Sequence, residues 1–128
     1  MTTALSSGIK ISVKCNFEDR FSKPENGLFL FSYKITLENR NSFPIQLMKR
    51  HWYIYDSSTK RREVEGEGVI GVQPIIQPGE TYSYNSSCDF TTDTGKMYGY
   101  YMMQNLDSKE EFKVNIPSFV MIVPHRLN

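Results

Sequence analysis

The chain has 128 residues, of which 39% are hydrophobic and 23% are charged, and its 15 basic residues almost balance its 14 acidic ones. This composition is typical of a folded globular protein and excludes a disordered chain, while a net charge of +1 excludes the strong field of a general nucleic-acid binder. We expect a single domain over residues 1–128, with its core at about residues 9–123.

Three strands are predicted in the first half of the chain. Apolar and polar residues alternate from Ile9 to Phe17 and from Phe29 to Leu37, so each segment has one apolar and one polar face. A third strand is predicted from Ile45 to Tyr55. Alternation there puts Trp52 and Ile54 on one face and Leu47 on the other, and it leaves open which face is buried. We favour burial of Trp52 and Ile54, with the tyrosines half exposed.

The second half of the chain continues the same pattern. A short charged strand is predicted from Lys60 to Glu65, and four further apolar or alternating segments follow: Thr81–Ser86, Met97–Leu106, Glu111–Ile116 and Phe119–Val123. About seven strands without a helix predict an all-β chain, an immunoglobulin/fibronectin-III-like β-sandwich. The fibronectin-III-like form is favoured because Cys15 falls on the first strand, where an immunoglobulin does not have its cysteine.

The N-terminal residues and the two cysteines indicate the expected compartment. Residues 1–8 lack the apolar run of a signal peptide, and no segment reaches the ~20 apolar residues needed for membrane insertion as a helix. Cys15 and Cys88 are too few for a disulfide scaffold. We therefore expect a cytoplasmic protein with reduced thiols, and a single Cys15–Cys88 bridge stays possible only if their strands are neighbours.

The segment from Gly66 to Gly71 spells the dinucleotide-binding pattern G-x-G-x-x-G. In a Rossmann fold the last glycine opens a helix that holds a pyrophosphate, but Pro74 and Pro78 exclude a helix here. The segment is therefore predicted to be a loop between strands.

Two interpretations of this loop are open. In one, the backbone N–H groups around three glycines hold a phosphate and a basic run supplies the counter-charge; these residues are Gly66, Gly68, Gly71, Lys60, Arg61 and Arg62. In the other, which we favour, the glycines allow positive φ and close strand approach.

Several segments in register resemble the ApaG family. The run from Gly66 to Ser86 is similar to the family signature, the segment from Gly95 to Tyr101 resembles its G-x-M-x-G-x-Y strand, and the segment from Phe112 to Phe119 resembles its closing IPxF segment. Trp52 also matches the third-strand pattern, and the resemblance extends from about residue 9 to residue 123.

The resemblance implies a fibronectin-III or immunoglobulin-like sandwich, in agreement with the alternation. It also implies a genetic link to cobalt resistance and magnesium efflux, and bacterial members are often encoded beside a diadenosine tetraphosphate hydrolase. Related domains in eukaryotic F-box proteins and in a polymerase-delta-interacting protein imply a protein-binding role. The family has no established catalytic residues, so none is carried over.

Metal-dependent and nucleophilic chemistry are not predicted. The softer metal ligands are scattered and lack ligand spacing; they are Cys15, Cys88, His51 and His125. The serines at Ser86 and Ser87 belong to no nucleophile motif, and the sequence alone does not place them beside His51. We expect no enzyme activity, no cofactor and no metal.

Basic and aromatic residues also alternate around the third strand, which is a pattern that nucleic-acid-binding surfaces use. Lys49 and Arg50 should face opposite sides of that strand, however, and acidic residues at Glu63, Glu65 and Glu67 dilute the neighbouring basic run. We expect no nucleic-acid partner.

Tyrosines supply the main positive indication of function. Five of them crowd two predicted strands, and the candidate interaction surface comprises Tyr82, Tyr84, Tyr98, Tyr100 and Tyr101. Tyrosine is enriched at protein interfaces, although the same residues would also serve as cross-strand ladders. The leading hypothesis is a non-catalytic protein-interaction module. The alternative is a sensor that binds pyrophosphate or a dinucleoside polyphosphate at the Gly66–Gly71 loop.

Overall fold

The computed structural model describes residues 1–57 and 61–124. Over these ranges the chain forms nine strands: β1 (Thr2–Ser6), β2 (Ile9–Phe17), β3 (Phe29–Asn39), β4 (Ile45–Asp56), β5 (Arg61–Glu67), β6 (Ile75–Ile76), β7 (Thr81–Phe90), β8 (Thr94–Asn105) and β9 (Glu111–Ile122). Two single 3₁₀ turns, Asp19–Phe21 and Pro24–Asn26, connect β2 to β3. No helix in the described ranges is long and apolar enough to cross a membrane.

The strands form two antiparallel sheets packed into a sandwich. A four-stranded sheet has the order β1-β2-β3-β7, and a five-stranded sheet has the order β5-β4-β8-β9 with β6 paired to β4. Strand β9 packs over β1 and β2, so the sheets meet closely along that side. The opposite side lies between the edge strands β5 and β7. The all-β sandwich prediction is confirmed; β1 and β6 are strands that the alternation did not predict.

Trp52 lies at the centre of the inter-sheet core, as predicted. Its indole ring is 5.9 Å from the ring of Tyr33 and 5.9 Å from that of Phe119, both in edge-to-face arrangements. Ile54 is buried beside it, and Tyr53 and Tyr55 on the other face of β4 are half-buried. The predicted division of this strand into a core face and a half-exposed aromatic face is therefore confirmed after residue 50.

A β-bulge at Met48 changes the alternation of β4. The pairing with β8 shifts between Leu47 and Lys49, so Met48 is an extra residue. Because a bulge adds one residue, it returns Leu47 to the same buried face as Trp52. The expectation that Leu47 lies opposite Trp52 is wrong for this reason.

A second bulge joins two predicted segments into β9. Gly99 pairs with Ile116 while Met97 pairs with Phe119, which leaves Pro117 and Ser118 opposite a single residue of β8. Ile116 and Phe119 are consequently both buried, although one position is even and the other odd. Proline has no N–H to donate to the ladder, and a bulge is where a sheet tolerates it.

The two cysteines form no disulfide. Cys15 lies on β2 and Cys88 on β7, with β3 paired between them, and both thiols are free. The strand adjacency that a Cys15–Cys88 bridge needs is absent from the sheet order.

Candidate functional site

The glycine motif forms a tight turn directly after β5. Val69 and Val72 exchange two backbone hydrogen bonds of 2.8 and 3.0 Å. Ile70 and Gly71 between them have φ values of 47° and 76°, as in a type I′ turn. At Gly68, where φ is 61°, a Cβ atom would lie 1.9 Å from the Val72 carbonyl oxygen. The turn therefore requires glycine at this position for its shape.

Ile70 occupies the tip of this turn in a strained conformation. A β-branched residue in the left-handed region is rare and costs about 1–2 kcal/mol. Its side chain is nevertheless 61% exposed, so no burial offsets that cost. Strain of this kind is concentrated at functional sites.

The loop presents carbonyl groups, rather than amides, to a neighbouring charge. The Gly68 N–H donates to the Met48 carbonyl at 2.8 Å, and the amides of Val69 and Val72 are used by each other. Arg50 Nη1 donates to the carbonyls of Glu67 at 3.1 Å and Gly68 at 3.0 Å. These three amide groups are thus already committed, and the loop's carbonyls bind a cation of the protein itself.

Gly66 makes room for Arg50. A Cβ atom at Gly66 would lie 3.0 Å from Arg50 Nη1, so the guanidinium lies directly against this glycine. Arg50 was not predicted to belong to the loop site. The available signal was that Arg50 has the same parity as Trp52 and Ile54 on β4, which places a charged residue among inward-facing positions.

The basic run beside the loop divides between the two faces of β5. Arg61 faces outward, with its guanidinium carbon 5.0 Å from the Tyr53 ring centroid. Arg62 faces inward, where its Nη2 donates to Cys88 Sγ at 3.1 Å and its Nη1 lies 3.4 Å from Asp89 Oδ1. Arg61 and Arg62 therefore do not form the single basic cluster that was predicted beside the loop. Lys60 and His125 lie outside the described residues.

An open cleft of about 290 Å³ lies between the sheets on the side of β5 and β7. We call it the inter-sheet cleft; its polar lining is formed by Arg50, Arg62, Tyr33, Tyr84, Ser86 and Asp89. The Tyr84 hydroxyl is hydrogen-bonded to that of Tyr101 in the core below.

Burial favours the neutral forms of the phenols and of the thiol in this region. It raises the pKa of the Tyr33, Tyr84 and Tyr101 phenols, and Arg50 opposes part of that rise for each of them. Burial also raises the pKa of Cys88 to about 11, against the opposing effect of Arg62. At neutral pH the phenols are hydrogen-bond donors, and the thiol is not the thiolate that nucleophilic attack needs.

The candidate interaction surface of five tyrosines is not one surface. Tyr84 and Tyr101 are buried in the core, and Tyr82 is half-buried on the inner side of β7. Only Tyr98 and Tyr100 face outward on the five-stranded sheet, because alternation along β8 turns them away from the core and turns Tyr101 into it. The prediction is corrected accordingly.

Tyr98 and Tyr100 instead join aromatic residues of β4. Cross-strand pairing places His51 opposite Tyr100 and Tyr53 opposite Tyr98. The His51 and Tyr100 rings stack at 5.1 Å and 13°, and the Tyr53 and Tyr98 rings stack at 5.1 Å and 22°. Tyr55 extends the series, with its ring 5.9 Å from that of Tyr98. We call these five residues the outer aromatic face.

Charged side chains border the outer aromatic face on both sides. Lys113 Nζ lies 4.2 Å from the Tyr100 ring centroid, and Lys96 Nζ lies 5.5 Å from that of Tyr98. On the β5 side, His51 is within 3.0 Å of a Glu63 oxygen and 3.1 Å of a Glu65 oxygen. Arg61, which lies over Tyr53, also forms an ion pair of 2.7 Å with Glu63. The aromatic strip thus has lysines at one border and, on β5, a mixed border in which glutamates outnumber the arginine.

The remaining candidate groups do not converge on a reaction centre. His51 faces outward on the five-stranded sheet, whereas Ser87 faces outward on the four-stranded sheet, at the other side of the sandwich. Residues 1–57 and 61–124 contain no group of three or more histidine, cysteine, aspartate or glutamate residues that could hold a metal ion.

Comparison with known proteins agrees with the fold and the motifs. The ApaG domain matches residues 19–105. Protein ApaG of Bdellovibrio bacteriovorus is 45% identical over 119 residues, 93% of each chain, and that of Anaeromyxobacter dehalogenans is 41% identical over 128 residues, the full length of both. The crystal structure of a protein described as ApaA from Bordetella pertussis matches with a TM-score of 0.88 and 34% identity, over 91% of this chain and 94% of the other. Sequence motifs, sandwich fold and full-length similarity together establish that this chain belongs to the ApaG family.

Proposed function

We propose that this chain is a non-catalytic protein-interaction module whose docking surface is the outer aromatic face. The observation that carries the proposal is the stacked series of His51, Tyr53, Tyr55, Tyr98 and Tyr100 on a solvent-facing side of the sandwich. The solvated side of an antiparallel sheet ordinarily carries polar residues. A continuous set of rings there needs a different explanation, and contact with another protein supplies one.

The stacked arrangement suits binding because it fixes the rings in advance. Each ring has a cross-strand neighbour, so little side-chain freedom remains to be lost on association. Tyrosine adds a large apolar area with a polar tip, the combination enriched at interfaces. On β9, Val120 and Ile122 extend the apolar surface with 53% and 37% of their side chains exposed.

The charges around the face indicate the chemistry of the partner. Glu63, Glu65 and Glu67 form a row along β5, each opposite an outward-facing residue of β4. We propose a protein partner that places flat apolar or aromatic groups over the rings and basic side chains against this row. Border charges of this kind set orientation and association rate more than affinity.

The family's link to cobalt resistance and magnesium efflux would then act through the bound partner. We also propose a cytoplasmic setting for the complex. Free thiols at Cys15 and Cys88 support it, because reducing compartments keep cysteines in that form.

Site-specific photo-crosslinking in living cells tests this function. A benzophenone amino acid replaces Tyr100 on the outer aromatic face or, as the matched control, Thr36 on the outer side of the four-stranded sheet. We expect one discrete adduct from position 100 and none from position 36. Equal adducts from both positions, or none from position 100, would contradict the proposal.

A further inference from the structure

A second site, separate from the outer aromatic face, lies in the inter-sheet cleft. The inward positions of the edge strand β5 carry Arg62, Val64 and Gly66, which pair with Ile54, Trp52 and Arg50 of β4. Two of these inward positions therefore carry no apolar side chain, and the third, Val64, remains 40% exposed. The sheets consequently do not close against each other here, and the cleft stays open.

Positive charge in the cleft exceeds negative charge. Arg50 and Arg62 line it with a single carboxylate, Asp89, whose Oδ1 lies 3.4 Å from Arg62 Nη1. Arg62 Nη2 also donates to the Asp89 carbonyl oxygen and to Cys88 Sγ. Among the described residues, no acidic side chain forms an ion pair with Arg50, and no hydrogen-bond partner is found for its Nη2 or Nε. A guanidinium held in place with donors to spare is the group that binds oxyanions most specifically.

Neutral donors and apolar walls complete the site. The hydroxyl groups of Tyr33 and Ser86 line the cleft beside the two arginines. The Tyr84 phenol lines it as well, with its hydroxyl hydrogen-bonded to that of Tyr101. Val64, Val69 and the strained Ile70 line its mouth on the β5 side. A few placed polar groups within apolar walls are typical of a small-molecule site, and 290 Å³ is just below the ~300–1,000 Å³ that such sites occupy.

We propose that the inter-sheet cleft binds a small organic oxyanion, with a carboxylate or phosphate group on Arg50 and Arg62 and a compact apolar part against Val64 and Val69. The glycines of the loop contribute indirectly. Gly66 leaves space for the guanidinium, and the Glu67 and Gly68 carbonyls hold it in place. The anion-binding groups are then side chains of the sandwich rather than the loop's amides.

Amide NMR titration of the full chain tests the site with four probes: benzoate, phenyl phosphate, the neutral analogue benzamide, and inorganic phosphate. We expect benzoate and phenyl phosphate to shift the amides of Gly71 and Cys88 and to bind at least about tenfold more tightly than benzamide or inorganic phosphate. Whichever of the two organic anions binds more tightly identifies the preferred oxyanion.

Neighbouring arginines on β5 provide the matched variants. Arg62→Gln should weaken binding of the organic anions about tenfold, whereas Arg61→Gln, on the opposite face of the same strand, should change it less than twofold. Arg62 is chosen over Arg50 because Arg50 also holds the loop. The proposal would be overturned if the two substitutions had equal effects or if benzamide bound as tightly as benzoate. Absence of shifts at the Gly71 and Cys88 amides would overturn it as well.

Discussion

The two sheets share one core but turn different outer faces to solvent. On the four-stranded sheet, an exposed leucine, Leu5, lies on the edge strand β1, but most outward positions of β2, β3 and β7 carry short or charged polar groups: Lys10, Ser12, Lys14, Lys34, Thr36, Ser83, Asn85 and Ser87. On the five-stranded sheet, the central outward positions carry the outer aromatic face. Both faces arise from the same two-residue alternation, so the alternation alone does not separate them. What differs is the chemistry placed on the outward positions.

The contacts on the two faces differ in kind as well. Thr36 and Ser83 share a hydroxyl hydrogen bond of 3.0 Å on the polar face, which water can replace at little cost. Each stacked ring pair on the outer aromatic face contributes about 0.5–1.5 kcal/mol. The polar face thus resembles an ordinary solvated sheet face, whereas the aromatic face carries the rings on which the proposed docking depends.

Making the aromatic face resemble the polar one should have the largest effect. We expect the triple variant Tyr53→Ser, Tyr98→Ser and Tyr100→Ser to lower affinity for the crosslinked partner at least about 100-fold, since tyrosines at the centre of an interface are frequent hot spots. Affinity is measured with purified proteins after circular dichroism has verified the fold. A matched variant of the polar face, Thr36→Ala with Ser83→Ala, should bind the partner normally. If this variant lost affinity and the triple variant did not, the docking surface would be the polar face.

Separating β4 from β8 should break the aromatic face from beneath. A Cβ atom at Gly99 would lie 2.0 Å from the His51 carbonyl oxygen, so Gly99→Ala forces apart the two strands that carry the rings. We expect it to lower the free energy of unfolding by about 3 kcal/mol in urea denaturation. Ser87→Ala on the polar face serves as the control, and a difference under about 1 kcal/mol between the two variants would show that the close approach is unimportant.

Removal of a single ring from the aromatic face should lower the free energy of unfolding by a smaller amount, but by more than a substitution on the polar face. We expect Tyr98→Ala to lower the free energy of unfolding by about 1 kcal/mol because it loses two stacked neighbours. Thr36→Ala should stay within about 0.5 kcal/mol of the wild type. Thermal and urea unfolding of both variants check this, and equal values would mean that the rings do not stabilise one another.

An effect no larger than that of Tyr98→Ala is expected at the inward neighbour of Tyr100. Tyr101→Phe leaves the Tyr84 hydroxyl without its hydrogen-bond partner, and we expect it to lower the free energy of unfolding by about 1 kcal/mol at pH 7. Burial raises the pKa of Tyr101 above its usual 10.0. The Tyr101 phenol therefore makes its full contribution to the free energy of unfolding below pH 10. That contribution declines at higher pH, because the phenol ionises in the unfolded chain. The stability difference between wild type and variant should therefore narrow above pH 10. A difference that stays constant with pH would show that this phenol does not titrate on unfolding.

Most of the strands and the core position of Trp52 follow from alternation, because a buried sheet face imposes a period of two on the residues. The errors have two different sources. A single extra residue at Met48 returned Leu47 to the core face, and adjacent tyrosines such as Tyr100 and Tyr101 cannot share a surface. Alternation could have separated those two tyrosines, but only the pairing of β4 with β8 could show that Tyr98 stacks with Tyr53.

The inter-sheet cleft depends on contacts that local sequence does not encode. Arg50 and Gly66 are 16 positions apart and meet only because β5 pairs with β4 in one register. Arg62 reaches Cys88 and Asp89 across the gap between two different sheets. The sequence indicates only that Arg50, a charged residue, has the same parity as Trp52 on β4. Its hydrogen-bond partners can be identified only from the tertiary structure.

Amide chemical-shift mapping with the crosslinked partner is the most direct test of whether the outer aromatic face is the docking surface. We predict that the partner perturbs amides of β4 and β8 around the outer aromatic face and leaves those of β2, β3 and β7 unchanged. Perturbations confined to β2, β3 and β7 would contradict the account, because they would place the interaction on the polar face.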